Sequence, residues 1–266
     1  TGTPKGVMHS FERITKVAES ITKDIKSRIG DIDDNRILSY LPLAHVFERA
    51  WVECMSMVDG KTHVFFAESL DTFVADLNRA RPTTFISVPR LWLKFQQGVF
   101  AKMPPKKLNR LLSIPILSGI VKRKVLKNLG LDQALLAGSG SAPIPAELIS
   151  WYQRLGLNMI EGYAMSEDFA YSHNSTPEIN APGCVGVPLP GVEVRISEEG
   201  EILIKSPGQL VGYYKRPDLD AEVFTADGYF KTGDVGKVDE RGYVVIVGRS
   251  KDLIISGGYN VYPAEI

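Results

Sequence analysis

Residues 135–160 read LLAGSGSAPIPAELISWYQRLGLNMI and change character three times. Leu135 to Ala137 is a short apolar strand. Small residues follow, Gly138-Ser139-Gly140-Ser141-Ala142-Pro143, and form a loop. A helix is expected from Pro145 to Leu155, and Leu157 to Ile160 returns as strand. A strand, a helix and a second strand in this order need a crossover, which makes the strands parallel and lays the helix on a sheet face.

The same alternation extends toward the N-terminus. Thr83 to Val88 is β-branched and apolar and runs into a helix starting near Pro89. Phe11, Ile14, Val17, Ala18, Ile21 and Ile25 recur at helical spacing. Leu38 to Leu41, ended by Pro42, and Thr62 to Phe66 read as strands, and Asp71 is expected to cap a helix carrying Phe73, Val74 and Leu77. After about residue 180 the pattern becomes two-residue alternation, in Val192 to Ile196, Glu201 to Lys205 and Tyr243 to Val247. Glu199-Gly200, Asp227-Gly228 and Arg241-Gly242 mark the turns. The expected fold is α/β: parallel-rich sheet layers flanked by helices over residues 1–180, a small antiparallel β subdomain over 181–250, and a hinge with the start of a further domain over 251–266.

Lys+Arg and Asp+Glu are both 31, so the net charge is zero and nothing global attracts the 266-residue chain to nucleic acid. Cys54 and Cys184 lie far apart in no metal-like spacing, which suits idle thiols in a reducing cytoplasm. Leu111 to Val121, the most apolar run, is broken by Ser113, Pro115, Ser118 and Gly119 and falls short of the roughly 20 residues a bilayer requires. Both ends read as cut: residue 1 falls inside a loop, and the chain stops at Glu265-Ile266.

That first loop, Thr1-Gly2-Thr3-Pro4-Lys5-Gly6, joins glycines, hydroxyls and a lysine, a composition that lets backbone N–H groups curl toward an anion. The Walker A order is absent, because Lys5 precedes Gly6. Taken alone, its composition reads better as an ordinary exposed turn. Four further segments follow in order: Gly138-Ser139-Gly140-Ser141-Ala142-Pro143, Glu161-Gly162-Tyr163-Ala164-Met165-Ser166-Glu167, Tyr229-Phe230-Lys231-Thr232-Gly233-Asp234 and Gly248-Arg249-Ser250-Lys251-Asp252. With the first loop they cover nearly all the chain, and the series resembles the adenylate-forming superfamily, which includes acyl-CoA ligases. The run Leu41 to Arg49, around His45, and Val88 to Gln96 resemble bacterial long-chain fatty acid–CoA ligases. From Val235 onward the chain is closer to ligases for malonate and other short acids.

The resemblance implies a truncated acyl-CoA synthetase fold and a two-step reaction. A carboxylate attacks the α-phosphorus of ATP, and a thiol, coenzyme A, then displaces AMP. It implies that Thr1, Thr3 and Lys5 hold the outer phosphates, that Ser166 meets the α-phosphate and that Glu167 ligates Mg²⁺, a hard cation that prefers oxygen. Gly140, Ser141 and Ala142 would cover the adenine, with Glu161 and Gly162 beside it and Tyr163 stacked on it. Asp234 would take the ribose hydroxyls, Arg249 would reach the ribose or a phosphate, and His45 would sit by the acid's carboxylate. A tryptophan gate found four residues after this histidine in some relatives is replaced by Arg49. Lys251 would be the hinge, and Gly257 and Gly258 would approach the CoA arm. Residue by residue the bland readings are a core aromatic for Tyr163, a turn aspartate for Asp234, a surface arginine for Arg249 and a linker lysine for Lys251. Two rival functions share the motifs: an acyl-AMP ligase loading a carrier protein, and an inactive nucleotide-binding fragment. The partners expected are a fatty acid or other carboxylic acid and a second copy of the chain. A peripheral membrane contact through residues 102–127 is the third. There Lys106, Lys107, Arg110, Lys122, Arg123, Lys124 and Lys127 alternate with Leu108, Leu111, Leu112, Ile114, Ile116 and Leu117; a solvated helical pair is the equal alternative.

Overall fold

A computed structural model describes residues 4–176 and 183–252, together with the backbone of 254–256 and 259–261. Strand β1 (Val7–Met8) leads into helix α1 (Phe11–Ile29), as the helical spacing predicts. Ser10 caps it by accepting the Arg13 N–H at 3.3 Å, and Lys26 and Arg28 sit in the last turn, where the helix dipole favours cations. Val17, Ala18, Ile21 and Ile25 form its buried stripe.

Strand β2 (Arg36–Ser39) runs parallel to β3 (His63–Phe66). Between them a turn of π-helix (Glu48–Cys54) continues as α2 (Met55–Asp59). Helix α3 (Phe73–Ala80) begins one residue later than expected: Thr72, not Asp71, takes the cap position. The reason is Asp76, whose Oδ2 accepts both the Thr72 hydroxyl at 2.7 Å and the Glu68 N–H at 3.0 Å, pinning the chain just before the first turn.

The parallel unit expected around residues 135–160 is present. Strand β4 (Thr84–Ser87) is followed by helices α4 (Pro89–Lys102), α5 (Pro105–Leu112) and α6 (Pro115–Asn128). Strand β5 (Leu136–Ser139), helix α7 (Ala146–Leu155) and strand β6 (Met159–Tyr163) complete the crossover. β4, β5 and β6 pair in parallel. Trp92 of α4 is fully buried and its indole N–H donates to the Gly138 carbonyl at 3.0 Å, while the Tyr152 hydroxyl of α7 donates to the Trp92 carbonyl at 2.6 Å. These bonds tie two helices to the sheet and satisfy the polar ends of large buried rings.

The later strands are β7 (His173–Asn174), β8 (Cys184–Pro188), β9 (Glu193–Ile196), β10 (Glu201–Lys205) and β11 (Gly212–Tyr213). Helix α8 (Pro217–Val223), β12 (Phe230–Val238), β13 (Val244–Arg249), β14 (Ile254–Ser256) and β15 (Tyr259–Val261) follow. β7 pairs antiparallel with both β6 and β8, so the antiparallel part continues the parallel part in one sheet, ordered β4-β5-β6-β7-β8-β13-β12-β10-β9 among the described residues. Gly186 makes the β7–β8 approach possible: its φ is +80°, and a Cβ there would collide with the Asn174 carbonyl. One apolar core lies between α3, α4, α6, α7 and the parallel strands. A second lies between α1, the π-helical turn and the antiparallel strands. Cys54 is half-buried and Cys184 buried, and they are not bonded to each other. Among the described residues no helix is long and apolar enough to cross a membrane.

Candidate active site

The N-terminal loop is held by pairing. β1 and β11 form a short antiparallel ladder, Val7 opposite Tyr213, and the Tyr214 N–H donates to the Gly6 carbonyl at 2.7 Å. This brings Lys5 to the strand that carries Tyr213, and the Lys5 ammonium lies 4.5 Å from that ring's centre. The Tyr213 hydroxyl donates to Glu167 Oε1 at 2.7 Å. Burial, and then the Glu167 carboxylate, push the Tyr213 hydroxyl well above its ordinary range, so it remains a donor. Lys5 and Glu167, 162 positions apart in sequence, thus share one aromatic neighbour. Ser166 is exposed on a single 3₁₀ turn, Ser166–Asp168, and its carbonyl is hydrogen-bonded to His9 Nε2 at 2.8 Å.

The end of β6 meets the β12–β13 pair. The Tyr163 hydroxyl donates to Asp234 Oδ2 at 2.7 Å, and Arg249 Nε donates to Asp234 Oδ1 at 3.1 Å. Asp234 and Arg249 are also direct cross-strand partners. Burial, and then the nearby Asp234 charge, hold the Tyr163 hydroxyl protonated. The Asp234 side chain is 11% exposed and that of Arg249 55%. The carboxylate is therefore set in place by two donors, with lone pairs left over for further ones.

A cleft open to solvent adjoins this cluster. His45, Phe47, Trp51 and Ile86 line it, as do the Gly138–Ser141 loop and Gly162, Tyr163 and Ala164. The Nδ1 of His45 accepts the Phe47 N–H at 3.3 Å. Gly140 donates its N–H to the Ser87 carbonyl at 3.1 Å, and Ser141, exposed, adopts φ +68°, a left-handed backbone that turns the loop away from β5. Ala142 is exposed beyond it. Trp51 is buried, with its indole N–H donating to the Ala170 carbonyl at 2.8 Å, and it also lines the cleft.

Several site residues carried no clear sequence sign. His173 lines the cleft; its Nδ1 meets the Ser172 hydroxyl at 2.8 Å, and burial lowers its pKa to about 4, so the imidazole is neutral. Its Nε2, the Asn174 amide nitrogen and the Ser139 hydroxyl are buried without a hydrogen-bond partner among the described residues. Glu48 anchors the turn after His45: one carboxylate oxygen accepts the Ser39 hydroxyl and the Tyr40 N–H. Only Glu48 sits in a legible motif; Tyr213 and His173 reach the site through strand pairing.

Glu161 does not line the cleft. It is 3% exposed, on the strand position opposite Ser139, and its Oε1 accepts the Ile144 N–H at 3.4 Å. Burial raises its pKa to about 7. Asp168, beside Glu167, is likewise raised to about 7 by burial, against the opposing pull of the Met165 and Tyr171 N–H groups. Among the described residues no three His, Cys, Asp or Glu side chains converge as a metal cage. Glu167 is half-buried, with one carboxylate oxygen accepting the Tyr213 hydroxyl and the other not engaged by it. Lys251 stands exposed on a 3₁₀ turn, Ser250–Asp252, directly after β13. Thr1, Thr3, Gly257 and Gly258 lie outside the described residues.

Known proteins share both sequence and arrangement. Long-chain-fatty-acid–CoA ligase FadD15 of Mycobacterium bovis is 33% identical over 260 residues, covering 87% of this chain and 42% of its own length. The ATP-bound MatB of Rhodopseudomonas palustris superposes over 100% of this chain and 49% of its own, with a TM-score of 0.74 and 29% identity. The o-succinylbenzoate CoA synthetase MenE of Bacillus subtilis, in complex with its acyl-adenylate intermediate, has a TM-score of 0.77 at 26% identity, again over 100% of this chain and 50% of that one. The chain thus spans about half the length of the proteins it matches. The family model for AMP-binding enzymes matches residues 1–214, four-fifths of the sequence, and the chain belongs to that family.

Proposed function

We propose that the protein carrying this chain couples ATP to the activation of a long-chain fatty acid, forming acyl-AMP and then acyl-CoA. The observation that carries the proposal is the Tyr163–Asp234–Arg249 cluster at the rim of a cleft that His45 also lines. A nucleoside needs an aromatic face and a fixed carboxylate for its hydroxyls. A carboxylic acid needs a neighbouring apolar space, which Phe47, Trp51 and Ile86 supply.

In this reading Lys5 and Ser166 meet the phosphates, and Arg249 lies over the ribose or α-phosphate. Glu167 would hold Mg²⁺, which neutralises phosphate charge. The chemistry is displacement at phosphorus. A carboxylate oxygen bonds to the α-phosphorus as the bond to pyrophosphate breaks. The CoA sulfur then bonds to the acyl carbon, AMP leaves with the electron pair, and the thiol proton is released. Preset donors around the phosphates lower the barrier because they need not reorganise as charge moves. His45, beside the acid, would hold the carboxylate in position. Lys251 is the proposed hinge between the two steps, residues 1–180 and 181–250 being parts of one adenylation domain. The long-chain assignment is supported by the segments around His45 and Val88–Gln96, which are ligase-like in the sequence, and by the similarity to a mycobacterial long-chain-fatty-acid–CoA ligase.

The experiment is acid-dependent exchange of labelled pyrophosphate into ATP by the full-length protein across acids of increasing chain length. Exchange should rise toward long acyl chains. Exchange with short dicarboxylates alone would remove the long-chain assignment, and no exchange with any acid would remove the activity.

A further inference from the structure

We propose that the α5–α6 surface docks on an anionic lipid bilayer. The inference stands on the surface itself and does not depend on the reaction proposed above.

Residues 77–131 contain twelve Lys and Arg and no Asp or Glu, in a chain whose total charge is zero. The structure folds much of this stretch into α4, α5 and α6 on one side of the sheet. Outside this stretch basic side chains are commonly paired: Lys16 with Glu12, Arg28 with Asp24, Arg195 with Asp227. Between Lys102 and Lys127 the eight cations, Lys102, Lys106, Lys107, Arg110, Lys122, Arg123, Lys124 and Lys127, make no ion pair among the described residues.

Helix α6 adds an apolar part. Val125 and Leu126 face the core. On the opposite face Ile116 is 83% exposed and Ile120 61%. Ile116, Ile120, Arg123, Lys124 and Lys127 fall at spacings of three and four, which line one stripe of an α-helix. The stripe is apolar at its start and cationic at its end. Such a helix can sink its isoleucines to the acyl boundary while its lysines and arginine meet phosphate headgroups. A single-stranded nucleic acid fits less well, because it binds through stacked aromatic rings, and of the four aromatic residues of this stretch Phe85, Trp92 and Phe95 are buried while Phe100 packs edge-on against Trp151.

The test uses the purified full-length protein and vesicles of phosphatidylcholine, with and without phosphatidylglycerol, read by co-sedimentation. Binding should require phosphatidylglycerol and weaken as salt is raised, a result that needs no variant. Replacing Lys122, Arg123 and Lys124 together by Gln should weaken binding on the order of a hundredfold. Ile116→Ser with Ile120→Ser should weaken it with the melting temperature unchanged. Lys16→Gln with Lys23→Gln, on α1, should leave binding intact. Equal binding to both vesicle types, or indifference to the triple change, would overturn the proposal. So would triple-sensitive binding of polyuridylate without vesicle binding, which would assign the surface to nucleic acid.

Discussion

If Asp234 receives the nucleotide's ribose, removing the carboxylate and removing a ribose hydroxyl must each erase the same bond. The perturbations are Asp234→Ala in the full-length protein and 2′-deoxy-ATP in place of ATP. The structure sets the expected size. The carboxylate is 11% exposed and already oriented by Tyr163 at 2.7 Å and Arg249 at 3.1 Å, so little side-chain freedom remains to be lost on binding. A hydrogen bond to such a charged acceptor contributes about 1.5–3 kcal/mol, which corresponds to roughly tenfold to a hundredfold in affinity. The native protein should therefore bind 2′-deoxy-ATP weaker than ATP by that factor, and the Asp234→Ala variant should distinguish the two nucleotides by only about twofold or threefold. The substitution also strands the Tyr163 hydroxyl. A buried donor left without its partner costs about 1–3 kcal/mol. That cost falls on both nucleotides equally and cancels in the comparison. Dissociation constants from titration calorimetry give all four corners of the cycle. A coupling below about 0.5 kcal/mol, the limit within which independent sites add, would show that Asp234 and the 2′-hydroxyl do not meet.

Two further outcomes can be measured directly. Glu167→Ala should abolish pyrophosphate exchange while changing unfolding free energy by no more than about 1 kcal/mol, the usual contribution of one partly exposed hydrogen bond; near-native exchange would dismiss Glu167 as the magnesium ligand. Glu161 has a folded pKa raised by burial to about 7, above an ordinary value of 4.5, so the folded chain holds its proton where the unfolded chain has released it. Its contribution to stability is present below about pH 4.5 and is lost as pH rises through about 7, a loss of about 3 kcal/mol by linkage. Urea unfolding of Glu161→Gln should show about 2.5 kcal/mol less decline between pH 5 and pH 8 than the native chain; identical profiles would mean that Glu161 titrates normally in the fold.

What the sequence determined by itself is the local and the periodic. Helix α1, the β5–α7–β6 crossover and the alternating strands β9, β10 and β13 were legible because 3.6- and two-residue periodicities record which face of each element is buried. The motif residues Tyr163, Ser166, Glu167, Asp234 and Arg249 were legible through resemblance, since their order along the chain carries the pattern. Tertiary structure alone decided how these pieces meet. β7 and β8 join the parallel and antiparallel strands into one sheet because Gly186 lets two backbones approach. β1 pairs with β11 and so sets Lys5 over Tyr213 and Tyr213 against Glu167. The burial of Glu161 was likewise decided by the fold, which leaves its side chain 3% exposed with Oε1 accepting the Ile144 N–H. Periodicity cannot report such facts, because pairing between strands dozens of residues apart is selected by the free energy of the whole sheet and core, in which no single segment's pattern specifies its partner.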